Sequence, residues 1–386
     1  MKRVVLLGST GSIGVNTLKV LSGLRGYALC GLTAGSNWQL ALRQIRKHSP
    51  KLVAMADEKA AERLAHALRS SRVKILRGED GIRTVAAMDG ADIVVSAILG
   101  AAGLRPNLDA LAAGKRLALA NKESLVMAGE AMMAAARRYH TEIIPIDSEH
   151  SAVFQAFHSG RREEVRKVTL TASGGPFANH HSDRLHRVTP RDALNHPTWK
   201  MGAKITVDSA TLMNKALEVI EARWLFDLKP EQIEVLVHPQ SIIHSLVEFT
   251  DGSVIAQMGP PDMKIPIQYA LTYPRRLKGN GARLDLAEVK SLTFQKPDTE
   301  KFPSIRLGYE VVRRGGTLGA VLNAANEVAV KAFLDKRCAF PDITATVAAV
   351  MKEHRSKKRP TLDDVLAAAR WATARAESLL ALERNG

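Results

Sequence analysis

Cysteine is scarce in this chain, with Cys30 and Cys338 the only two among 386 residues. They form no CxxC pair, so neither a disulfide framework nor a cysteine metal site is expected. No apolar run approaches the ~20 residues that a helix needs to cross a bilayer, and no membrane partner is expected. A secretory leader is not expected either. Val4-Val5-Leu6-Leu7 follows Met1-Lys2-Arg3 directly and runs into a glycine motif, which predicts a cytoplasmic location. There is no internal repeat and no low-complexity tract. Acidic residues are the minority charge, 39 against 55 Lys and Arg, leaving a net charge of +16.

The remaining composition is that of an ordinary globular protein, 46% hydrophobic and 24% charged, long enough for two or three domains with buried cores. The basic surplus suits nucleic acid, and it equally suits electrostatic steering of phosphorylated ligands. The densest basic run, Lys352 to Arg359, has no interleaved aromatics and lies between two helical patterns. It reads as a solvated connection, and no nucleic-acid partner is expected.

Val4 to Leu7, followed by Gly8-Ser9-Thr10-Gly11-Ser12-Ile13-Gly14, reads as a strand, a tight turn and a helix. Glycines there let the backbone approach a pyrophosphate resting on the helix N-terminus. The spacing is GxxGxxG, a variant of the dinucleotide fingerprint, and a plain structural turn is the alternative. The second strand, Tyr27 to Leu32, leads into Thr33-Ala34-Gly35-Ser36-Asn37. A carboxylate here would bind the ribose 2′-hydroxyl of NAD; its absence favours NADP. Further alternation of strands (Lys51 to Ala54, Ala91 to Leu99, Arg116 to Ala120) with helices (Leu40 to His48, Lys59 to Arg69) predicts a parallel, doubly wound sheet. Gly100 to Gly103 would line the cofactor groove, and Asn121-Lys122-Glu123-Ser124 is either a site or a helix cap.

After a helix from Met127 to His140, the run Ile143-Ile144-Pro145-Ile146 ends in Asp147-Ser148-Glu149. On an extended backbone the two carboxylates, at i and i+2, point to one side and suit a hard divalent cation. A solvated acidic loop would look the same. Val165 to Thr171 reads as a strand ending in Ala172-Ser173-Gly174-Gly175, a cradle for an oxyanion or phosphate, or a plain turn. The segment His196-Pro197-Thr198-Trp199-Lys200-Met201-Gly202 reads as a packed loop or a lid. A helix is expected from about Ser209 to Phe226, with Ser209 at an N-cap or phosphate contact and Thr211, Asn214, Lys215 and Glu218 on one arc. Strands at Ile233 to Val237, Ile242 to Phe249 and Ser253 to Met258, the last two joined at Asp251-Gly252, predict a mainly antiparallel sheet able to carry a dimer interface. Helices are expected at Leu307 to Arg314, Leu318 to Leu334, Ile343 to His354 and Leu362 to Leu382, the last capped by Thr361.

Taken together, the blocks GSTGSIG at 8–14, NKES at 121–124, IDSEHSA at 146–152, TASGGPF at 171–177, HPTWKMG at 196–202, VDSATLMNKALEVIEA at 207–222, HPQSIIHS at 238–245 and NAANE at 323–327 resemble the 1-deoxy-D-xylulose 5-phosphate reductoisomerase family nearly end to end. The resemblance implies an α/β fold with an N-terminal Rossmann-like doubly wound parallel sheet (1–147), a central α+β catalytic and dimerisation domain with a mainly antiparallel sheet (148–280), a linker (281–302) and a C-terminal α-helical domain (303–386). It implies a homodimeric, NADP-dependent oxidoreductase that rearranges and reduces 1-deoxy-D-xylulose 5-phosphate, a sugar phosphate, to 2-C-methyl-D-erythritol 4-phosphate, with one divalent cation (Mg²⁺, Mn²⁺ or Co²⁺).

By the same resemblance Asp147, Glu149 and Glu218 hold the metal, and Lys122, Ser148 and Glu149 contact the sugar chain. Ser173, His196, Ser209, Asn214 and Lys215 surround the substrate, largely at its phosphate, with Glu218 beside it. Thr10, Gly11, Ser12, Ile13, Gly35, Ser36, Asn37, Asn121, Glu123 and Gly202 hold NADPH, and Trp199 sits on a mobile lid. Lys122, Glu149, Glu218 and Trp199 are the catalytic candidates. Some relatives carry Lys or Arg where this chain has Ser36, which lowers the expected strength of 2′-phosphate recognition but not its direction. Another two-domain NADP oxidoreductase, such as a semialdehyde or homoserine dehydrogenase, would need no three-carboxylate site.

Overall fold

The apolar runs of the first half of the chain form strands that all pair in parallel. The computed structural model describes residues 1–199 and 201–382; Lys200 of the 196–202 motif lies outside the described residues. The chain divides into two compact units, one of residues 1–124, 132–151 and 262–282, the other of 125–131, 152–261 and 283 onward.

The first unit is built on seven strands: β1 (Lys2–Leu7), β2 (Tyr27–Ala34), β3 (Leu52–Met55), β4 (Lys74–Arg77), β5 (Ile93–Ser96), β6 (Arg116–Leu119) and β7 (Ile143–Pro145). Their order is β4-β3-β2-β1-β5-β6-β7. The connecting helices are α1 (Ser12–Gly23), α2 (Trp38–His48), α3 (Glu58–Ala67), α4 (Gly78–Ala86), α5 (Leu104–Ala112) and α6 (Lys122–Arg138). Val4 to Leu7 are fully buried, as a central parallel strand covered on both faces requires. The strand order reverses at β1, so a crevice opens beyond the carboxyl ends of β1 and β5, where open α/β sheets bind ligands.

Two local expectations are corrected here. Strand β4 and helix α4 were not foreseen, because β4 is an edge strand of four residues with Lys74 and Arg77 at its ends and no apolar run. Asp147 and Glu149 do not share an extended backbone. Ser148–Ala156 is a helix, α7, whose first turn contains Glu149. The Asp147 carbonyl accepts from Ser151 N–H at 2.8 Å. At ~100° per residue the i, i+2 argument no longer places both carboxylates on one side.

The second unit contains a four-stranded sheet of β8 (Val165–Ala172), β9 (Ile233–Val237), β10 (Ile243–Phe249) and β11 (Val254–Met258), ordered β11-β10-β8-β9. β8–β10 and β10–β11 are antiparallel, whereas β8–β9 is parallel. The parallel pairing follows from a helical crossover between β8 and β9, formed by α8 (Pro190–Ala193), α9 (Ala203–Ala210) and α10 (Met213–Phe226). The hairpin at Asp251-Gly252 is present, with Gly252 at φ +86° and Asp251 accepting from Ser253 N–H at 2.9 Å. α11 (Lys264–Thr272) returns to the first unit. Then follow α12 (Leu286–Val289), α13 (Ser304–Arg314), α14 (Leu318–Leu334), α15 (Phe340–Glu353) and α16 (Leu362–Leu382). α14 is the apolar axis of the helical layer, with Leu318, Val321, Leu322 and Ala325 buried against Ile220, Val347 and Ala372. Among the described residues no helix is long and apolar enough to cross a membrane.

The single helix expected from Ser209 to Phe226 is two helices. Leu212 takes the left-handed conformation, φ +56°, and breaks the run between α9 and α10. Ser209 therefore lies at the carboxyl end of α9 and does not cap α10. Leu212 and its neighbours Ala210 and Met213 are all buried, so packing and not a local Gly or Pro imposes the break.

Candidate active site

At the carboxyl end of β1, Gly8 turns the chain at φ +82°, and a Cβ there would meet the Ala97 carbonyl oxygen at 2.5 Å. Gly11 is the N-cap of α1, with no side-chain cap on the helix N–H groups. Thr10 and Ile13 are half-buried, Gly11 and Ser12 exposed. Beyond β2, Gly35, Ser36 and Asn37 are all exposed. Asn37 also caps α2, accepting from Leu40 N–H at 3.1 Å.

Asn121 is buried and acts first as a brace. Its Nδ2 donates to the carbonyls of Ile98 and Gly100, each at 2.9 Å, and to Glu123 Oε2 at 2.9 Å. Its Oδ1 accepts from Ser124 N–H at 3.2 Å as the N-cap of α6. The cap reading of 121–124 is thus realised, and the same bonds hold the loop after β5 against the start of α6.

Next to that cap, Lys122 is 5% exposed, and its Nζ lies 2.8 Å from Asp147 Oδ2 beyond β7. His150, fully buried, places Nδ1 3.4 Å from the same oxygen. Burial alone would raise the Asp147 carboxyl, but the Lys122 ammonium and His150 outweigh it and hold the group well below the usual carboxylate range. Ser148 donates to the Glu149 carboxylate. His150 was not singled out from the sequence; its signal was the i, i+3 spacing from Asp147, which faces the two together only once 148–156 is known to be helical.

In the second unit β8 delivers Ser173 and α9 delivers Ser209 to one imidazole. His196 Nε2 lies 3.0 Å from Ser173 Oγ and 3.1 Å from Ser209 Oγ. Its Nδ1 accepts from the backbone N–H of Thr198 and Trp199 at 3.1 and 3.0 Å. Those two donors place the ring proton on Nε2, toward the serines. Burial pushes the imidazole below its ordinary value, so the ring is neutral at pH 7. Trp199 is half-buried, its ring 6.4 Å from that of His244. Gly202 is exposed and opens α9.

On α10 the expected arc survives for three of its four members. Glu218 is fully buried, and Asn214 Nδ2 and Lys215 Nζ donate to its two oxygens. Lys215 also donates to the Thr171 carbonyl of β8. Thr211 instead turns its hydroxyl back to the Val207 carbonyl, at 3.1 Å.

A parallel sheet with a glycine turn at its switch point, and a second unit with half-buried Ser173, His196 and Ser209 on one imidazole and buried Lys215 with Glu218, are the features of a nicotinamide-dinucleotide oxidoreductase with a separate substrate unit. Family models match at three places: 1-deoxy-D-xylulose 5-phosphate reductoisomerase over residues 4–129, its C-terminal domain over 143–226, and the DXP reductoisomerase C-terminal domain over 258–375. The chain belongs to the 1-deoxy-D-xylulose 5-phosphate reductoisomerase family. It is 53% identical over 375 residues to that enzyme from Heliobacterium modesticaldum, covering 96% of each chain. Among solved structures it is similar to the reductoisomerase from Zymomonas mobilis in complex with NADPH, with a TM-score of 0.92, 42% identity and 98% and 99% coverage. It is also similar to a DOX-P reductoisomerase in complex with NADPH, fosmidomycin and magnesium, with a TM-score of 0.96, 38% identity and full coverage of both chains.

Proposed function

We propose that the chain converts 1-deoxy-D-xylulose 5-phosphate to 2-C-methyl-D-erythritol 4-phosphate, using NADPH and one divalent cation, in the non-mevalonate route to isoprenoid precursors. Full-length family membership supports the reaction, and the cluster of Ser173, His196 and Ser209 is the observation that carries the site. A neutral imidazole offering Nε2–H between two hydroxyls is a set of donors for a phosphate oxygen. Asn214 and Lys215 complete that end, Lys215 adding positive charge.

Lys122 would donate a hydrogen bond to the sugar chain, with Ser148 and Glu149 beside it. Asp147, Glu149 and Glu218 would hold the cation: all three are hard oxygen donors, as Mg²⁺, Mn²⁺ or Co²⁺ prefer. Asp147 is already ionised, and Asp147 and Glu218 each have a lysine ammonium as countercharge. When bound, such an ion supplies Lewis-acid polarisation of a substrate carbonyl, and NADPH supplies hydride.

Backbone N–H groups of Thr10 to Ile13 receive the cofactor's pyrophosphate. Gly35, Ser36 and Asn37 would hold its 2′-phosphate end, and Asn121, Glu123 and Gly202 would hold the rest of the molecule. Trp199 covers the substrate and excludes water. In this reading residues 1–147 carry the cofactor, 148–280 catalysis and dimerisation, and 303–386 a helical support beyond the 281–302 linker. The protein works as a cytoplasmic homodimer, and the exposed Val254 and Ile255 of edge strand β11 support a sheet-borne dimer interface. The test is oxidation of NADPH with 1-deoxyxylulose 5-phosphate, with and without Mn²⁺. Turnover is expected only with the metal; turnover that survives chelation would assign the chain to another class of NADP oxidoreductase.

A further inference from the structure

The NAANE block at 323–327 lies on α14 and has no part in the roles assigned above. Asn326 is fully buried there, and its Nδ2 donates to Asp208 Oδ1 on α9 at 2.8 Å. Asp208 Oδ2 takes the Lys204 ammonium at 2.9 Å, one turn earlier on its own helix, and its side chain is 1% exposed. The next residue along α9 is Ser209, whose hydroxyl meets His196. α9 has eight residues, too few to hold a helix in place by itself, and the left-handed Leu212 follows directly. Tertiary contacts must therefore set its rotation about its axis. Apolar packing tolerates small rotations, whereas a buried amide facing a buried carboxylate has one good geometry and is costly to leave unmade.

We infer that Asn326 is a positioning residue: through Asp208 it fixes the rotation of α9 and so holds Ser209 Oγ against His196 for the substrate's phosphate. This rests on the phosphate-site reading above. The experiment uses the full chain with Mn²⁺ and NADPH, comparing Asn326→Asp, Asn326→Leu, Asp208→Asn, the exchanged pair carrying Asn326→Asp with Asp208→Asn, and Ser209→Ala. Asn326→Asp sets two carboxylates face to face. A shift of ~1 Å at a positioned group can cost ~10²-fold, so KM for the sugar phosphate should rise about tenfold or more. KM for NADPH should rise less than KM for the sugar phosphate, since α9 reaches the cofactor only through Gly202, its N-cap. In the exchanged pair the amide now on α9 accepts from Lys204 and donates to the carboxylate now on α14, so KM should return to within about threefold of wild type.

A lowered melting temperature with unchanged KM in folded Asn326→Asp would reduce the contact to stability alone and overturn the inference. If Asn326→Asp does not fold, Asn326→Leu, close in size and without a donor for Asp208, decides: an unchanged KM for the sugar phosphate overturns the inference. Failure of the exchanged pair to rescue KM overturns it too. Ser209→Ala separates the two ideas. If Ser209→Ala raises KM while the Asn326 and Asp208 variants do not, only the inference falls; if Ser209→Ala is silent, the phosphate reading falls and takes the inference with it.

Discussion

Glu218 is buried completely, with the Lys215 ammonium and the Asn214 amide on its two oxygens. Glu218→Gln keeps the volume and removes the charge that a cation needs. At saturating Mg²⁺ kcat should fall about 10²-fold or more. The variant should remain folded but less stable, because the Lys215 ammonium loses that countercharge. Near-normal turnover would take Glu218 out of the metal set. His196 gives a pH test. Its folded pKa is depressed below the unfolded value of ~6.5 by burial, so the stability it contributes is complete above ~6.5 and is lost as pH falls toward the folded value. Protonation also turns Nδ1 from acceptor to donor against the N–H groups of Thr198 and Trp199. Acidification should therefore release the 197–199 loop and change the Trp199 fluorescence, a change that Trp199→Phe abolishes. A wild-type spectrum that stays unmoved as pH is lowered until the protein unfolds would contradict this coupling. At this scale the family blocks grouped Ser173, His196 and Ser209 about the substrate, but that both hydroxyls meet one imidazole is set by the crossover between β8 and β9.

The β1–turn–α1 element was the most legible part, because an apolar run, a glycine turn and a helix pattern follow one another within about a dozen residues. Its glycine is a steric demand and not a preference. A methyl at Gly8 would lie 2.5 Å from the Ala97 carbonyl oxygen at φ +82°. Gly8→Ala should lower the melting temperature and weaken NADPH binding by about tenfold or more, as read by cofactor fluorescence titration; wild-type affinity would mean that the turn does not hold the pyrophosphate. At the end of β2, Ser36 is exposed and free to take a larger side chain. Ser36→Arg should tighten NADPH, and Ser36→Asp should weaken it while leaving NADH nearly unchanged. Equal kcat/KM for the two cofactors in wild type would refute the 2′-phosphate reading. Less was legible where tertiary packing overrides the local pattern. The break at Leu212 carries no Gly or Pro to announce it, and the helical start at Ser148 follows so closely on the apolar run 143–146 that an extended continuation fits the local pattern equally well.

For the whole molecule the +16 charge is a field property. If it steers a sugar phosphate and NADPH, kcat/KM should fall several-fold from about 0.05 to 0.5 M KCl, where the Debye length shrinks from ~14 to ~4 Å. kcat at saturation should change little. A salt-independent kcat/KM would leave the surplus charge without a part in encounter. The division into units is also a property of the whole: residues 125–131 and 262–282 each pack with the unit that is not contiguous with them in chain order, which no local pattern records.

By itself the sequence determined the parallel sheet, the glycine turn, the hairpin at Asp251-Gly252 and the cap at Thr361, which accepts from Asp364 N–H at 3.2 Å. It also carried the family, through blocks spread over nearly its full length. These rest on hydrophobic period and on backbone preferences, both of which act within a few residues. Only the tertiary structure decided that Lys122 and His150 keep Asp147 ionised, that one imidazole serves two serines, and that Asn326 answers Asp208 across 118 residues of chain. A buried polar group must find a partner, but burial does not say which one. That choice is made by the packing of elements distant in sequence.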